Sequence, residues 1–270
     1  MPLVAVVGNL ARDRIDGGPP QPGGCPFFAG LAFQMLGREG QILTRCADAD
    51  RALFDGPVAA LGMPVTVLSA RSTSGFDHFY DGEVRTTHVT RIGDPWTPAD
   101  AGHLDPAVTW VHVAPLMRSD FPAGTLAALA GDGRCLSFDG QGLVRAPRPG
   151  PLTEDAAFDP AMLEPVSVLK LSEEEARIVA GGTFDADTAR VLGVPEILVT
   201  LGSRGEVVWV GGEATHVPTT PVLGVETTGA GDAFMVGYST ARSEGASPTE
   251  AAREGSTLVA RMLAERKRAG

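Results

Sequence analysis

The segment best suited to chemistry is residues 225–241, VETTGAGDAFMVGYSTA, where small residues and one carboxylate precede an apolar, helix-compatible run. A glycine turn that opens a helix can bind an anion, because the first-turn N–H groups lack partners within the helix and carry partial positive charge. Gly229, Ala230 and Gly231 are small enough for their amides to close on a phosphoryl oxygen, and Asp232 follows in the first turn. Asp is also favourable at a helix start. The four residues alone therefore fit either an anion site or an ordinary helix start.

Other phosphate- and metal-binding patterns are missing from the sequence. A Walker A loop needs Lys and Ser/Thr directly after its last glycine, and neither Lys170 nor Lys267 has that context. There is no G-x-S-x-G elbow, and the five histidines are scattered without zinc-ligand spacing. The G-A-G of 229–231 also lacks the third glycine of a dinucleotide fingerprint.

Seven short β-rich runs and the segments between them must position the glycine turn. Their alternation with helix-compatible segments predicts a parallel sheet with helices packed on its faces. The predicted strands are 3–8, 42–46, 65–70, 108–114, 135–140, 166–171 and 196–202. The predicted helices are 26–37, 49–61, 120–131, 172–180 and 185–192, then two closing helices at about 230–243 and 248–266.

Residues 74–92 break that alternation. They alternate with period two around Asp81-Gly82, which predicts a β-hairpin. A lone hairpin is marginally stable, so we expect it to extend a small sheet with the segment near Asp13–Asp16, either as a lid over a pocket or as a surface excursion. The Pro- and Gly-rich stretch 145–160 is predicted to be a loop over one end of the main sheet. The whole chain, 1–270, is then one domain with a small β lid from about 12–17 and 74–92.

The charge and cysteine content of the sequence limit the kinds of partner that the protein is expected to bind. A net charge of −11 argues against a nucleic-acid surface or an anionic membrane, although not against small anionic ligands. Three scattered cysteines without a CxxC pair indicate reduced thiols and a cytoplasmic setting. No apolar stretch approaches the length needed to span a membrane, and MPLVAVVGNL lacks the basic start of a signal peptide.

Several segments together resemble one enzyme family. TTGAGDAF (227–234), followed by a helix of small residues, resembles the C-terminal signature of the ribokinase-like (PfkB) carbohydrate kinases. VVGNLARD (6–13) and GGCPFFAGLAFQMLG (23–37) resemble that family's first strand and its Gly-Gly substrate loop. SFDGQGLVR, LKLSEEEA and VTLGSRGEVVW follow in the family's order. The resemblance spans nearly the whole chain. It implies a ribokinase-like three-layer α/β/α fold with a mostly parallel central sheet and a small β lid.

The resemblance implies an ATP-dependent kinase. In that interpretation Asp232 is the base that takes the proton of the substrate hydroxyl, and the amides of Gly229, Ala230, Gly231 and Asp232 hold the charge that develops on the γ-phosphoryl group. Positioning and charge stabilisation supply most of the rate in such reactions. Helix 248–264 would flank the adenine. The implied nucleotide-binding residues are Lys170, Ser172, Thr200, Gly202, Ser203, Gly205 and Thr228. Lys170 fits equally a surface lysine at a strand end.

The resemblance also implies an acceptor site. Asp13 matches the family position that binds substrate hydroxyls, and a carboxylate can accept from two vicinal hydroxyls, which suits a polyol. Its alternative is a solvated loop acid. The implied substrate-binding residues are Asn9, Asp13, Gly23, Gly24, Phe28, Gln141 and Arg145.

Glu175 has two interpretations. Ser172-x-x-Glu175 is a capping box, which alone explains both residue types. The resembled family usually has Asn-x-x-Glu at this point, with the Glu organising Mg²⁺ through water. The resemblance therefore makes Glu175 the candidate metal residue.

Two positions depart from the family. Phe28 stands where the family usually has Asn, so the pair Phe27-Phe28 either presents aromatic surface to the substrate or packs in the core. This pair, with the later Ser-x-x-Glu, resembles the myo-inositol kinase branch. Glu226 replaces the Asp that helps hold a monovalent cation in some members, so the resemblance leaves potassium activation open.

The leading hypothesis is a kinase that uses ATP and Mg²⁺ to phosphorylate a small polyol, either a sugar or a cyclitol such as myo-inositol. One alternative is a nucleoside kinase of the same family, in which Phe27, Phe28 or Phe79 stacks on a base. The other is a catalytically silent binding or regulatory protein, against which the intact Asp232 and its glycines count. The lid either closes its own pocket or pairs with a second subunit in a homodimer.

Overall fold

The structure is a computed structural model that describes residues 3–82 and 84–269. Its strands in that part of the chain are β1 (Leu3–Asn9), β2 (Ala11–Ile15), β3 (Gln21–Gly23), β4 (Gly40–Ala47), β5 (Val65–Ala70), β6 (Ser74–Asp81), β7 (Val84–Arg91), β8 (Val108–Val113), β9 (Cys135–Asp139), β10 (Gly150–Pro151), β11 (Val168–Ser172), β12 (Glu196–Thr200), β13 (Glu206–Val210) and β14 (Glu213–Val217).

The helices in the same ranges are α1 (Cys25–Leu36), α2 (Arg51–Ala59), α3 (Ala123–Leu129), α4 (Gln141–Val144), α5 (Glu173–Ala180), α6 (Ala186–Leu192), α7 (Ala230–Ser243) and α8 (Pro248–Ala269). Short 3₁₀ turns lie at Asp48–Asp50, Pro98–His103, Gly131–Gly133, Pro160–Leu163 and Gly202–Arg204. No helix within these ranges combines the length and the apolar character that crossing a bilayer requires.

A nine-stranded sheet forms the centre, in the order β14-β13-β12-β11-β9-β8-β1-β4-β5. In this sheet the neighbouring strands β12, β11, β9, β8, β1, β4 and β5 pair in parallel, and β13 and β14 add an antiparallel edge. β4 is buried along its whole length and β1 from its second residue, as expected for parallel strands covered on both faces. The predicted mostly parallel α/β sheet is confirmed, and the β13–β14 hairpin extends it beyond the predicted strands.

Helices cover the sheet in two layers. On one face α1, α7 and α8 pack together, with Phe33, Phe234 and Tyr238 in the same core cluster. The other face carries α3, α5 and α6, whose Leu126, Ala176 and Ala189 belong to a second cluster. The three-layer arrangement is the predicted one, and α7 begins and ends at the predicted residues.

A second sheet has the order β10-β7-β6-β2-β3. The predicted hairpin at 74–92 is present as β6 and β7, and β2 joins it in parallel, with Asp13 opposite Phe76. Glu83, at the predicted turn, lies outside the described residues. One expectation was wrong in part: the stretch 145–160 is not only a loop over the main sheet, because Gly150 and Pro151 form β10 and pair with Val89 and His88 of β7.

This topology gathers polar residues at one edge of the main sheet. Parallel strands present their carboxyl ends on the same side, where α/β proteins bind ligands. Asp139, Ser172 and Thr200 are the last residues of three neighbouring strands, β9, β11 and β12. The amino end of α7 and the second sheet face the same edge and complete a cleft.

Candidate active site

A single cavity of about 1360 Å³ lies at this edge of the sheet. Its walls come from the strand ends, the starts of α1 and α7, one side of α8, and β6 and β7 of the second sheet. The predicted site residues that line it are Asp13, Gly24, Phe28, Gln141, Arg145, Lys170, Ser172, Glu175, Thr200, Gly202, Ser203, Gly205, Thr228, Gly229, Ala230, Gly231 and Asp232.

The glycine turn begins α7 with close packing on both sides. Gly229 has φ 79°, a left-handed conformation that favours glycine. A Cβ on Gly229 would lie 2.8 Å from Phe28 Cδ1, and one on Gly231 would lie 3.2 Å from Lys170 Nζ. Small residues are therefore required here for the backbone to approach both Phe28 and the lysine ammonium.

The amides of the turn differ in their partners. The N–H of Ala230 donates to the carbonyl of Thr227 at 3.0 Å, so it is engaged inside the turn. Gly231 and Asp232 occupy the next first-turn positions, whose amides helix geometry leaves without an intrahelical partner. The predicted anion site thus centres on the amides of Gly231 and Asp232.

Asp232 lies half-buried on the cavity wall. Burial, followed by the negative charge of Asp139, raises the pKa of its carboxyl to about 7, although a hydrogen bond from the Cys25 thiol opposes this shift. Burial also raises the pKa of the Cys25 thiol, so that this thiol stays protonated as a donor. Gln141 Nε2 donates to Cys25 Sγ at 3.0 Å, and this contact fixes the thiol beside the carboxylate.

A buried ion pair lies behind the turn. Lys170 Nζ is 3.1 Å from Asp139 Oδ2, and both side chains are buried. Burial alone would lower the pKa of Lys170, but the carboxylates of Asp139 and Glu175 raise it above its usual range. Conversely, although burial opposes it, the ammonium lowers the pKa of Asp139. Lys170 is therefore a fixed positive charge at the turn and not an exposed strand-end lysine.

Ser172 and Glu175 form the capping box that their spacing predicts. The N–H of Ser172 donates to Glu175 Oε2 at 2.8 Å, and the N–H of Glu175 donates to Ser172 Oγ at 3.1 Å. Burial raises the pKa of Glu175. Both residues also line the cavity, so capping α5 places the Glu175 carboxyl at the site.

The part of the cavity predicted to bind the acceptor lies at the second sheet. Asp13 Oδ1 is buried without a hydrogen-bond partner among the described residues, and His78 Nε2 lies 3.9 Å from Asp13 Oδ2. Arg145 and Glu154 also line the cavity, with Arg145 Nε 3.5 Å from Glu154 Oε1. A carboxylate oxygen without a donor, in a cavity that also holds an Arg–Glu pair, suits a ligand with several hydroxyl groups.

Two predicted substrate residues do not line the cavity. Asn9 is buried, and its Oδ1 accepts from Trp96 Nε1 at 2.8 Å, so its side chain is committed to the core beside the first strand. Gly23 lies behind Asp13, because a Cβ on Gly23 would fall 1.9 Å from Asp13 Oδ2. Direct substrate contact, predicted for both, does not fit these positions; Gly23 instead leaves room for the carboxylate of Asp13.

The part of the cavity predicted to bind the nucleotide is lined by the 200–205 loop and α8. Gly205 has φ 86°, and a Cβ there would fall 2.2 Å from the carbonyl oxygen of Val217, so only glycine fits. Ser256, Val259, Ala260 and Leu263 of α8 line the opposite wall. Glu226, at the position where the family's Asp was expected, is exposed, and its carbonyl accepts from Arg266.

Among the cavity-lining residues that sequence reasoning missed are Cys25, Asp139 and Glu206. Cys25 directly follows the Gly-Gly pair, and Asp139 lies in the SFDGQGLVR segment, so their positions within quoted motifs could have indicated both residues. Glu206 follows the last glycine of TLGSRG, and a charged residue at the start of a strand is the sequence feature that could have indicated it. Polar side chains adjoining the quoted motifs would have identified all three.

The described residues contain no cluster of three His, Cys, Asp or Glu side chains that could hold a metal alone. Mg²⁺ in kinases is usually held by one or two carboxylates, several waters and substrate phosphates. Glu175, at the cavity beside the predicted phosphate position, is a donor of that kind. The residues present therefore fit a phosphate-bound Mg²⁺, and not a metal held by protein ligands only.

Comparison with known proteins agrees with this arrangement. Residues 142–269 match the family described as pfkB family carbohydrate kinase. A fructokinase of Escherichia coli is 29% identical over 248 residues, which cover 83% of this chain and 78% of that protein. An inositol 3-kinase of Oryza sativa subsp. japonica is 30% identical over 207 residues, 73% of this chain and 49% of that protein.

The fold is also similar to solved structures. A pyrophosphate-dependent kinase in the ribokinase family, complexed with a pyrophosphate analog and myo-inositol, superimposes with a TM-score of 0.83. The identity is 21%, and the match covers 97% of this chain and 95% of the other. At that identity the likeness shows the fold alone, which is ribokinase-like as predicted.

Proposed function

We propose that this chain, which belongs to the PfkB family of carbohydrate kinases, transfers the γ-phosphoryl group of ATP to a hydroxyl of a sugar or cyclitol. The observation that carries the proposal is the position of Asp232. Its carboxyl, with a pKa of about 7, lies in the first turn of α7 between the acceptor and donor ends of one cavity.

Asp232 acts as the general base in this proposal. A base works best when its pKa lies near the operating pH, because it is then ionised and still basic enough to take a proton. As the acceptor hydroxyl oxygen bonds to the γ-phosphorus, the bond from that phosphorus to ADP breaks and ADP leaves, while the hydroxyl proton passes to the Asp232 carboxylate. The Cys25 thiol, held by Gln141, keeps one carboxylate oxygen occupied and so orients the other toward the hydroxyl.

The transferred phosphoryl group is held by the turn and by Lys170. The amides of Gly231 and Asp232 donate to its oxygens at the positive end of α7, and Lys170 Nζ lies beside Gly231. Asp139 pairs with Lys170 and fixes the ammonium in place. Mg²⁺ held by Glu175 and the phosphates would neutralise further charge on the donor.

The acceptor is a sugar or a cyclitol, in keeping with the fructokinase and inositol 3-kinase relatives. Asp13 supplies an open carboxylate oxygen for hydroxyl groups, and Gln141 and Arg145 line the same region. The nucleoside alternative has lost support at two of its three aromatic residues. Phe27 packs against a core cluster, and Phe79 is not among the cavity-lining residues, which leaves Phe28.

The donor end favours a nucleotide over inorganic pyrophosphate, the donor of the structurally similar enzyme. Its walls carry apolar side chains from α8 and from the 218–228 loop, including Val222, Val225 and Leu263. Pyrophosphate, which is small and highly charged, would leave these apolar side chains uncovered, whereas a nucleobase would pack against them. ATP is therefore the proposed donor.

A substrate panel tests the proposal. Phosphorylated product would be measured by mass spectrometry with ATP, Mg²⁺ and each of fructose, ribose, myo-inositol and adenosine, and again with pyrophosphate in place of ATP. We expect turnover with ATP and a sugar or cyclitol. Turnover only with adenosine would favour the nucleoside alternative, turnover only with pyrophosphate would overturn the donor, and no turnover with any pair would favour the silent regulator.

We further propose that two copies of the chain form a homodimer through the lid. Ile15, Phe79 and Tyr80 of the second sheet are exposed apolar side chains, and Phe79 is 43% exposed. Pairing of two such sheets would cover them. Analytical ultracentrifugation decides the point: a dimer that Phe79→Asp converts to monomer supports it, and a monomeric wild type leaves the lid to close its own pocket.

A further inference from the structure

Glu206 occupies an unusual place at the donor end of the cavity. It is the first residue of β13 and lines the cavity directly after the 200–205 loop. Its backbone is paired with Thr200 of β12 on one side and Val217 of β14 on the other, so the position of its Cα is fixed by three strands. The side chain therefore projects from a rigid part of the sheet.

The carboxyl of Glu206 is only half satisfied. The residue is 2% exposed, and Oε2 accepts from Ser256 Oγ at 2.7 Å. Oε1 is buried and has no hydrogen-bond partner in the residues that the structure describes. A buried acceptor without a donor is costly to the fold, so its retention calls for a partner that arrives with a ligand.

The surroundings of Oε1 define that ligand. Ser256, Val259, Ala260 and Leu263 recur at helical spacing on the cavity side of α8, and Val222 and Val225 of the loop line the same cavity. Apolar lining with a few polar groups is typical of small-molecule sites, in which the polar groups fix orientation and specificity. A nucleobase fits this description, and phosphate does not.

We propose that Glu206 reads the base of the phosphoryl donor, with Oε1 accepting the exocyclic amino N–H of adenine. This rests on the proposed ATP-dependent function and adds the residue that selects the nucleotide. Ser256 acts as a positioning residue, because its hydroxyl occupies Oε2 and turns Oε1 toward the base.

Burial raises the pKa of Glu206 to about 7, opposed by the Ser256 hydrogen bond and by the neighbouring His216. At pH 8 the group is therefore mainly an acceptor. It should then favour a base that carries an amino group over the same base without one.

The test compares ATP with purine riboside triphosphate, which differs from ATP only by lacking the amino group. Isothermal titration calorimetry at pH 8 with Mg²⁺ would measure Kd for both, and for tripolyphosphate as a probe without a base. We expect wild type to bind ATP about tenfold more tightly than purine riboside triphosphate, as one hydrogen bond to a charged acceptor implies. Equal affinities in wild type would overturn the assignment.

Variants separate recognition from folding. Glu206→Leu should bring the ratio of the two affinities close to one while tripolyphosphate binding stays unchanged, and Glu206→Gln should retain most of the ratio because its carbonyl still accepts. Ser256→Ala should reduce the ratio to an intermediate value. Glu213→Leu, which changes an exposed glutamate of the adjacent strand, is the matched control and should keep the wild-type ratio.

The outcomes distinguish this inference from the function on which it rests. If ATP binds and drives turnover but Glu206→Leu keeps the wild-type ratio, only the role of Glu206 is overturned. If ATP fails to bind while pyrophosphate supports turnover, the proposed donor is wrong and the base-reading role falls with it. If Glu206→Leu does not fold, Glu206→Gln and Ser256→Ala still decide. A ratio reduced in Ser256→Ala and largely kept in Glu206→Gln supports the assignment, and any other pattern contradicts it.

Discussion

Two regions of the cavity each hold a carboxyl group whose pKa is raised to about 7: Asp232 lies at the start of α7, and Glu206 lies beside the 200–205 loop. Burial is the main cause in both, but the surroundings differ. Asp232 lies among charged and hydrogen-bonding groups, with Asp139, Lys170 and the Cys25 thiol acting on it. For Glu206, the Ser256 hydrogen bond and the neighbouring His216 oppose the increase in pKa that burial causes. Similar pKa values thus arise in a polar network and in an apolar slot.

The difference indicates different tasks. A carboxylate in a network of fixed charges can gain a proton during a reaction, because neighbouring groups stabilise both of its protonation states. A carboxylate in an apolar slot gains most from a specific donor that arrives with the ligand. We therefore propose that proton transfer takes place at the start of α7 and that nucleotide recognition takes place beside α8, and the predictions that follow test one or the other.

The largest effect is expected at Asp232. Asp232→Asn keeps the size of the side chain but cannot accept the proton, so kcat should fall by about 10²–10⁴. Binding of ATP should change far less, because the donor end is intact. Steady-state phosphorylation and calorimetric ATP titration measure the two quantities. Near-normal turnover in Asp232→Asn would show that this carboxylate is not the base.

The pH dependence of the wild type sharpens the same assignment. Only ionised Asp232 accepts a proton, so kcat/KM should rise as the pH rises through about 7 and be lost below it. The profile would be measured from pH 5.5 to 8.5 with ATP in excess. A flat profile across this window would contradict the raised pKa of Asp232.

The ion pair behind the turn should show the next largest effect. Lys170→Met leaves the buried Asp139 without its counter-charge, and breaking a buried pair by removing one partner typically costs about 3–5 kcal/mol. Urea unfolding measures this loss. The double variant Lys170→Met/Asp139→Asn removes the stranded charge and should regain part of the stability but not the activity. Equal stability of the single and double variants would mean that the pair does not hold the network together.

Glu206 predicts that stability falls as pH rises, whereas kcat/KM is expected to rise over the same range. Glu206 has a pKa of about 7 in the fold against 4.5 ordinarily, so the unfolded chain loses this proton first. The free energy of unfolding should therefore fall as pH rises from about 4.5 to 7, by roughly 1–3 kcal/mol from this group. Asp120 and Asp232 act in the same direction. The difference between wild type and Glu206→Gln isolates the contribution, and identical pH profiles would contradict it.

The start of α7 and the capping box beside it were predictable because their signals are local. The turn at 229–232 and the bounds of α7 follow from glycines, a helix-start acid and an apolar run, all contiguous in sequence. The Ser172–Glu175 capping box is likewise a pattern within four residues. Such features depend on neighbouring side chains and backbone geometry, which the sequence states directly.

Contacts between distant residues were not predictable in the same way. Gln141 and Cys25 lie 116 positions apart, and Glu206 and Ser256 lie 50 apart. Packing of helices on the sheet brings them together, and residue types alone do not indicate which polar groups will face each other. Asn9 shows the converse, because its predicted substrate contact is replaced by a hydrogen bond to Trp96, 87 positions away.

The smallest effect is expected at Glu175, which lies where the two ends meet. Glu175→Gln retains a capping box, so we expect it to lose less stability than a variant that removes the cap. The loss of negative charge should raise the Mg²⁺ concentration needed for half-maximal activity, if the carboxyl holds the metal. Ser172→Ala removes the cap instead and should cost about 1 kcal/mol of stability. A Glu175→Gln variant that loses stability with an unchanged Mg²⁺ requirement would make Glu175 a helix cap only, and the fixed charge between the two ends would then be Lys170 alone.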